Sequence, residues 1–151
     1  MNLHKLLRSF ANAGRGLWQV WHEERNMRLH TAAAFAVLYL AHLIPLARWE
    51  SLAVAGTIFS VLVVEALNTA IEAAVDLATS GYHPLAAKAK NVAAGAVLLT
   101  AANALLLGYY VFWPHLGELH RALLRQAETS PQILGLALLV LLLLLRTGWR
   151  G

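Results

Sequence analysis

Three carboxylates and one carboxamide interrupt an otherwise apolar run, Val64-Glu65-Ala66-Leu67-Asn68-Thr69-Ala70-Ile71-Glu72-Ala73-Ala74-Val75-Asp76. At roughly 100° per residue, a helix brings positions 65, 68, 72 and 76 within about 80° of one another, on a stripe roughly 16 Å long. The other faces are Ala, Leu, Ile and Val. Ionised groups at membrane depth are costly and face a cavity or a partner, so three on one stripe imply a cation or a basic group between them. A solvated helix end is the ordinary alternative, and the apolar flanks argue against it.

Each polar residue suggests a task. Glu24, just before the first apolar run, and Glu72 supply hard oxygens of the kind that suit Mg²⁺, an ion held by one or two carboxylates together with substrate phosphates. Lys90 falls in the first turns of a later helix whose free amides point toward the same region, an arrangement that favours phosphate. Together these describe a nucleoside triphosphate site, although plain cytoplasmic anchoring accounts for Lys88 and Lys90 equally well. Glu65 lies at least a turn deeper than Glu72, where it is a candidate proton acceptor from an alcohol arriving through the bilayer, such as a lipid hydroxyl. Its structural alternative is an interhelical hydrogen bond. Asn68 and Asp76 can orient metal ligands or the lysine.

Several chemistries are absent. There is no GxxxxGK[ST] loop, Gly14-Arg15-Gly16 is no dinucleotide fingerprint, and no H-E-x-x-H occurs. His4, His22, His42, His115 and His120 read as interface or loop residues, and His83, beside Pro84, is the histidine that faces the site. Without a basic surface interleaved with aromatics, nucleic acid is not an expected partner.

The elements that must position these groups are membrane helices. The chain has 151 residues, 59% hydrophobic and 13% charged, far from the composition of a soluble domain. It has no cysteine, so disulfides and thiolate metal sites are excluded. No cleavable signal peptide is expected at the N-terminus. Residues 1–22 set Leu3, Leu6, Leu7, Phe10, Leu17, Trp18 and Trp21 against Lys5, Arg8, Asn12, Arg15 and Gln19, which reads as an amphipathic surface helix with a bend near Gly14 and Gly16.

A polar cluster at 22–30 precedes a first span over 31–46, ended by Pro45. A second helix starts near Ser51, is lipid-compatible to Val64 and then carries the stripe. Gly81 is expected to take the left-handed cap conformation and Pro84 to open the next helix, whose residues 92–113 span with many small residues. Residues 114–130 read as a short amphipathic connector. The leucine-rich run 132–145, extended by Pro131 and by Arg146 and Arg150 around Trp149, reads as a fourth span. Lys and Arg place both termini and the Lys88/Lys90 segment in the cytoplasm, so the expectation is a multi-pass protein of the inner (cytoplasmic) membrane with its site at the cytoplasmic face. Two units follow, 1–113 carrying the chemistry and 114–151 comprising the connector and additional helix.

The segments Glu65-Ala-Leu-Asn68-Thr69-Ala-Ile-Glu72-Ala-Ala-Val-Asp76, Tyr82-His83-Pro84 and Ala89-Lys90-Asn91-Val-Ala-Ala-Gly-Ala-Val-Leu98 resemble the signature of the small prokaryotic diacylglycerol kinase family, which includes undecaprenol kinases. Glu24-Arg-Asn26-Met-Arg28-Leu-His30 resembles that family's approach to its first span, and the likeness covers roughly residues 5–113. The resemblance implies an all-α integral membrane homotrimer of three-span protomers with an N-terminal surface helix, using ATP and Mg²⁺ to phosphorylate a lipid alcohol. By position Glu65 would be the catalytic base, also meeting the lipid together with Lys5, and Glu24 and Glu72 the metal ligands. Asn12, Glu24, Glu72, Gly81, Tyr82, His83, Lys90 and Asn91 would line the ATP site, with Asn68 and Asp76 in support. Asn26, Arg28, His30 and His83-Pro84 bring the chain nearer the undecaprenol kinase branch. Two departures stand out: Lys90-Asn91 replaces the Lys-Asp of many members, removing a negative charge beside the phosphates, and the tail from Pro114 adds a helix that the smallest members lack.

Three function classes follow. The first is a lipid kinase making undecaprenyl phosphate, with diacylglycerol as the rival acceptor and phosphatidic acid as its product. The second is a catalytically weakened membrane module, because of Asn91. The third is an ion or proton-coupled transporter, disfavoured by the lack of an internal repeat.

Overall fold

The computed structural model describes residues 2–146, and it is helical throughout, with no strand among the described residues. Helix α1 is Leu3–Glu23, α2 Arg25–His42, α3 Arg48–Ala78 and α4 Pro84–Phe112; a 3₁₀ turn at Trp113–His115 leads into α5, Leu116–Thr129, and α6, Pro131–Arg146. Asn2 caps α1 by accepting from the His4 amide at 3.3 Å. The helix runs unbroken across Gly14 and Gly16, because tight turns need glycine's freedom but a helix merely tolerates it.

The expected first span is displaced toward the N-terminus. Helix α2 starts at Arg25 and stops at His42, short of Pro45, since the residue before a proline disfavours the helical region and Leu46 instead donates to the Ile44 carbonyl in a tight turn. Helix α3 starts at Arg48 rather than near Ser51. Glu50 is the reason: its Oε2 accepts the Ala47 amide at 2.7 Å, satisfying one of the donors a helix start leaves open.

Helices α3 and α4 form an antiparallel hairpin and share the most extensive packing in the chain. Val54, Val61, Ala93 and Val111 are buried in the small core, together with Met27, Ala32 and Ile44 from the α2 region. Helix α3 and the helical stretch that begins with α4 are long and apolar enough to cross a membrane. Their outer faces expose Leu52, Phe59, Leu98, Leu99, Leu105 and Tyr110. A continuous apolar surface of that extent is suited to lipid and adverse in water. Within the short amphipathic connector expected over 114–130, residues 116–129 form the full helix α5, and α6 folds back to pack on α2. At 1.5 Å per residue α2 and α6 are about 27 and 24 Å long, less than a bilayer core of about 30 Å. Trp149 and Arg150, expected to extend α6, lie outside the described residues.

Candidate functional site

The stripe on α3 emerges with a gradient along it. Glu65 is 1% exposed and Asn68 is buried, Glu72 is half-buried and Asp76 is exposed. This follows from what covers each position: the body of the hairpin and α2 close over Glu65, whereas Asp76 lies two residues before the end of the helix. Asn68 Nδ2 donates to Glu72 Oε1 at 2.7 Å, tying the two middle members together at i and i+4.

Glu65 is the anomaly. Its Oε2 is buried and has no hydrogen-bond partner, and the nearby Asn68 Oδ1 is likewise unpaired. Most buried polar atoms in folded proteins are bonded, so an orphan carboxylate oxygen calls for an explanation. Glu24 and Glu72 are the carboxylates close enough to act on Glu65 electrostatically. Three acidic groups thus converge from two places in the sequence, and α3 carries two of them. Glu24 comes from the corner between α1 and α2, where its extended backbone (φ −92°, ψ 120°) ends one helix and starts the next. That corner is fastened by Arg28, a buried side chain whose Nη1 donates to the His22 carbonyl. Among the described residues no three acidic or histidine side chains are grouped closely enough to hold a metal unaided. The hard-oxygen pair Glu24 and Glu72 fits Mg²⁺ only if phosphate oxygens complete the shell, which is how that ion is usually bound.

A second cluster lies at the exposed end of the stripe. Lys90 Nζ meets Asp76 Oδ1 at 2.5 Å, bridging α4 and α3. Around this pair a cleft of about 190 Å³ is lined by Thr79, Gly81, Tyr82, His83 and Ala87. His83 caps α4, its Nδ1 accepting the Leu85 amide at 3.2 Å, and Pro84 takes the first helical position. The expected left-handed Gly81 is a correction: no residue in the described chain has a positive φ. The reversal is made instead by extended residues at both sides, Thr79 (φ −135°, ψ 128°) and His83 (φ −136°, ψ 127°). The Thr79 hydroxyl bonds back to the Val75 carbonyl at 3.0 Å, closing the last turn. Tyr82 is 89% exposed, and Asn91 is exposed next to Lys90.

The structure therefore gathers the sequence candidates into two neighbouring groups. Glu24, Glu65, Asn68 and Glu72 form the deep one, and Asp76, Gly81, Tyr82, His83 and Lys90 surround the cleft. Lys5 and Asn12 belong to neither; both are exposed on α1, where Asn12 Oδ1 accepts from Arg15 Nη2 at 2.6 Å. One residue to which the sequence assigns no site role joins the deep group: His30, whose Nε2 is 4.0 Å from Glu65 Oε2. Its only local sequence signal is a titratable ring at the threshold of an apolar run.

Helices long and apolar enough to cross a membrane, with an acidic centre buried among them and an acid–lysine cleft at one end, suit the class of membrane proteins that carry a polar site. The comparisons narrow this class. Residues 11–112 match the prokaryotic diacylglycerol kinase family, so the chain belongs to that family and is a membrane lipid kinase. The chain is 43% identical over 114 residues to the undecaprenol kinase of Bacillus subtilis (strain 168), covering 76% of this chain and 93% of that relative. It is 41% identical over 112 residues to a diacylglycerol kinase of Synechocystis, 74% of this chain and 64% of the relative. With the diacylglycerol kinase of Escherichia coli (strain K12) it shares 27% identity over 113 residues, 75% and 93% respectively.

Proposed function

We propose that this chain transfers the γ-phosphoryl group of ATP to the hydroxyl of undecaprenol at the cytoplasmic face of the cell membrane, working as a homotrimer with Mg²⁺. The observation that carries the reading is Glu65: a buried carboxylate with an unpaired oxygen, at lipid depth, on the same stripe as groups suited to phosphate and metal. The 43% identity to an undecaprenol kinase favours the prenol, and the relatives named diacylglycerol kinase keep diacylglycerol as the rival acceptor.

In this mechanism Glu65 accepts the proton of the lipid hydroxyl as its oxygen attacks phosphorus. Glu24 and Glu72 would hold Mg²⁺ together with phosphate oxygens, and when bound the ion supplies neutralisation of the charge on the transferring group. Asn68 holds the Glu72 carboxylate in place through its 2.7 Å bond. Lys90, held over the cleft by Asp76, meets the phosphates, with His83 and Tyr82 at the cleft rim. Little covalent help from the protein is needed, because phosphoryl transfer relies mainly on positioning and charge. In membrane terms α2, α3 and α4 are the three spans, α6 a fourth, and α1 lies on the surface with Leu3, Leu7, Phe10 and Trp18 toward lipid.

The test is transfer of label from γ-labelled ATP to undecaprenol and to a diacylglycerol in detergent micelles, with and without a Mg²⁺ chelator. Chelator-sensitive undecaprenyl phosphate is the expected product. Labelled phosphatidic acid alone would reassign the acceptor, and no labelled lipid would overturn the reading.

A further inference from the structure

An apolar groove of about 230 Å³ runs between α2, α3 and α4, lined by His30, Ala34, Val37, Val61, Ala101 and Ala104 among others. Among the described residues His30 is the one polar side chain in its lining. The groove leads away from the phosphate end: its α3 residues, Ile58 and Val61, lie up to seven positions before Glu65, about 10 Å deeper along the helix, whereas Glu72 and Asp76 lie after it.

We infer that His30 and Glu65 form a two-point cradle for the acceptor hydroxyl, and that the groove takes the first part of a single hydrocarbon chain attached to it. This rests on the kinase reading and deepens it by giving His30 a place on the acceptor hydroxyl and the groove a part in choosing a single-chain alcohol over a two-chain one. The separation of 4.0 Å between His30 Nε2 and Glu65 Oε2 is too long for a hydrogen bond. An oxygen about 2.8 Å from each closes it. A lipid hydroxyl has both capacities needed, donating its proton to the unpaired Glu65 oxygen and accepting from the His30 ring. The proton then moves to Glu65 as the alcohol oxygen bonds to the γ-phosphorus, and the bond from that phosphorus to the β–γ bridging oxygen breaks, its electron pair leaving with the nucleoside diphosphate.

The lining also selects. A diacylglycerol brings two ester carbonyls within a few bonds of its hydroxyl, and burying them without donors carries a penalty. Among the described residues the groove offers no side-chain donor beyond His30, which the hydroxyl already occupies. A prenol has no such carbonyls, and its remaining chain stays in the bilayer.

The experiment measures kcat and KM for undecaprenol, a diacylglycerol and ATP with the purified chain in lipid nanodiscs. The variants are His30→Ala, His30→Gln, Ala104→Leu and, as control, Ala102→Leu, an exposed residue outside the groove lining. Expected are a fall in kcat of at least about tenfold for His30→Ala, largely restored by the donor amide of His30→Gln. Filling the groove in Ala104→Leu should raise KM for undecaprenol about tenfold with KM for ATP unchanged, and Ala102→Leu should match wild type. An active wild type with His30→Ala and Ala104→Leu kinetically unaltered overturns the cradle while leaving the kinase reading intact. Diacylglycerol turned over as efficiently as undecaprenol overturns the single-chain assignment. A wild type that phosphorylates no lipid alcohol fails the kinase reading, and this inference with it.

Discussion

Helix α3 carries two buried glutamates, and the protein treats them in opposite ways. Glu50, 9% exposed at the start of the helix, is fully engaged: its Oε2 accepts the Ala47 amide at 2.7 Å and faces His115 Nε2 at 3.6 Å. Glu65, about four turns further along, is more deeply buried and has an oxygen that nothing bonds. The first arrangement recovers the cost of burying a carboxylate through partners; the second leaves that cost standing. Buried polarity left unsatisfied calls for an explanation, and a bound ligand is the one we propose. The same helix thus holds a carboxylate used for architecture and one that we propose serves the chemistry, and variants should separate them.

The largest effect is expected at the unsatisfied end. Glu65→Gln removes the proposed proton acceptor, and phosphate transfer to undecaprenol, the proposed acceptor, should fall by about 10³-fold or more. Its thermal midpoint in detergent should hold or rise, since the carboxyl it replaces is buried with an oxygen that has no partner. Turnover near wild type would erase the distinction between the two glutamates. Next in size is Lys90→Ala, which should raise KM for ATP about tenfold, read by initial-rate kinetics over an ATP series. It should barely change the thermal midpoint, because a partly exposed ion pair such as Lys90–Asp76 contributes about 0–1 kcal/mol. At the satisfied end, Glu50→Ala should leave kcat and KM in place and cost about 1–3 kcal/mol by stranding the Ala47 amide. A thermal melt lowered by several degrees checks it.

The comparison also explains what the sequence can disclose. Helical spacing alone puts Glu65, Asn68, Glu72 and Asp76 on one face, because that relation is local and the helix is long. Pro84 opening α4 is legible for the same reason. The pairing of His30 with Glu65 is not: it depends on how α2 lies against α3, and no spacing within either segment encodes it. Glu50, two residues after Arg48 in the sequence, caps its own helix three residues back, a capping box without the usual hydroxyl residue at its head and so without the usual sequence sign. Gly81 misleads because glycine after a helix commonly takes the left-handed cap; here extended Thr79, with its hydroxyl turned onto Val75, ends the helix first. In the tail, the mixed residues over 114–130 read as a short amphipathic connector and the leucine run after it as a helix, whereas the connector is itself helix α5. They carry no information on where α6 goes, and it returns to α2, with Phe35, Tyr39, Leu134 and Leu138 lining the crevice between them.

The smallest effect sharpens the satisfied end further. His115, in the 3₁₀ turn beyond α4, lies between two carboxylates, with Nδ1 3.1 Å from Glu118 Oε2 and Nε2 3.6 Å from Glu50 Oε2. Only the doubly protonated ring can donate at both nitrogens. The hydrogen bond to Glu118 holds the imidazole above the usual histidine range, with partial burial opposing and Glu50 reinforcing it. A group whose folded pKa is raised stabilises fully below its unfolded value, about 6.5, and loses that contribution as pH rises through the folded pKa. The thermal midpoint of the wild type should therefore exceed that of His115→Gln most clearly below about pH 6, with the gap closing as the medium becomes alkaline. Glu118→Gln should narrow the same gap at low pH, while neither change touches Glu65, so kcat should follow the wild-type profile. A gap independent of pH would mean that the turn is held by packing, and that the two ends of α3 differ less in their use of charge than their geometry implies.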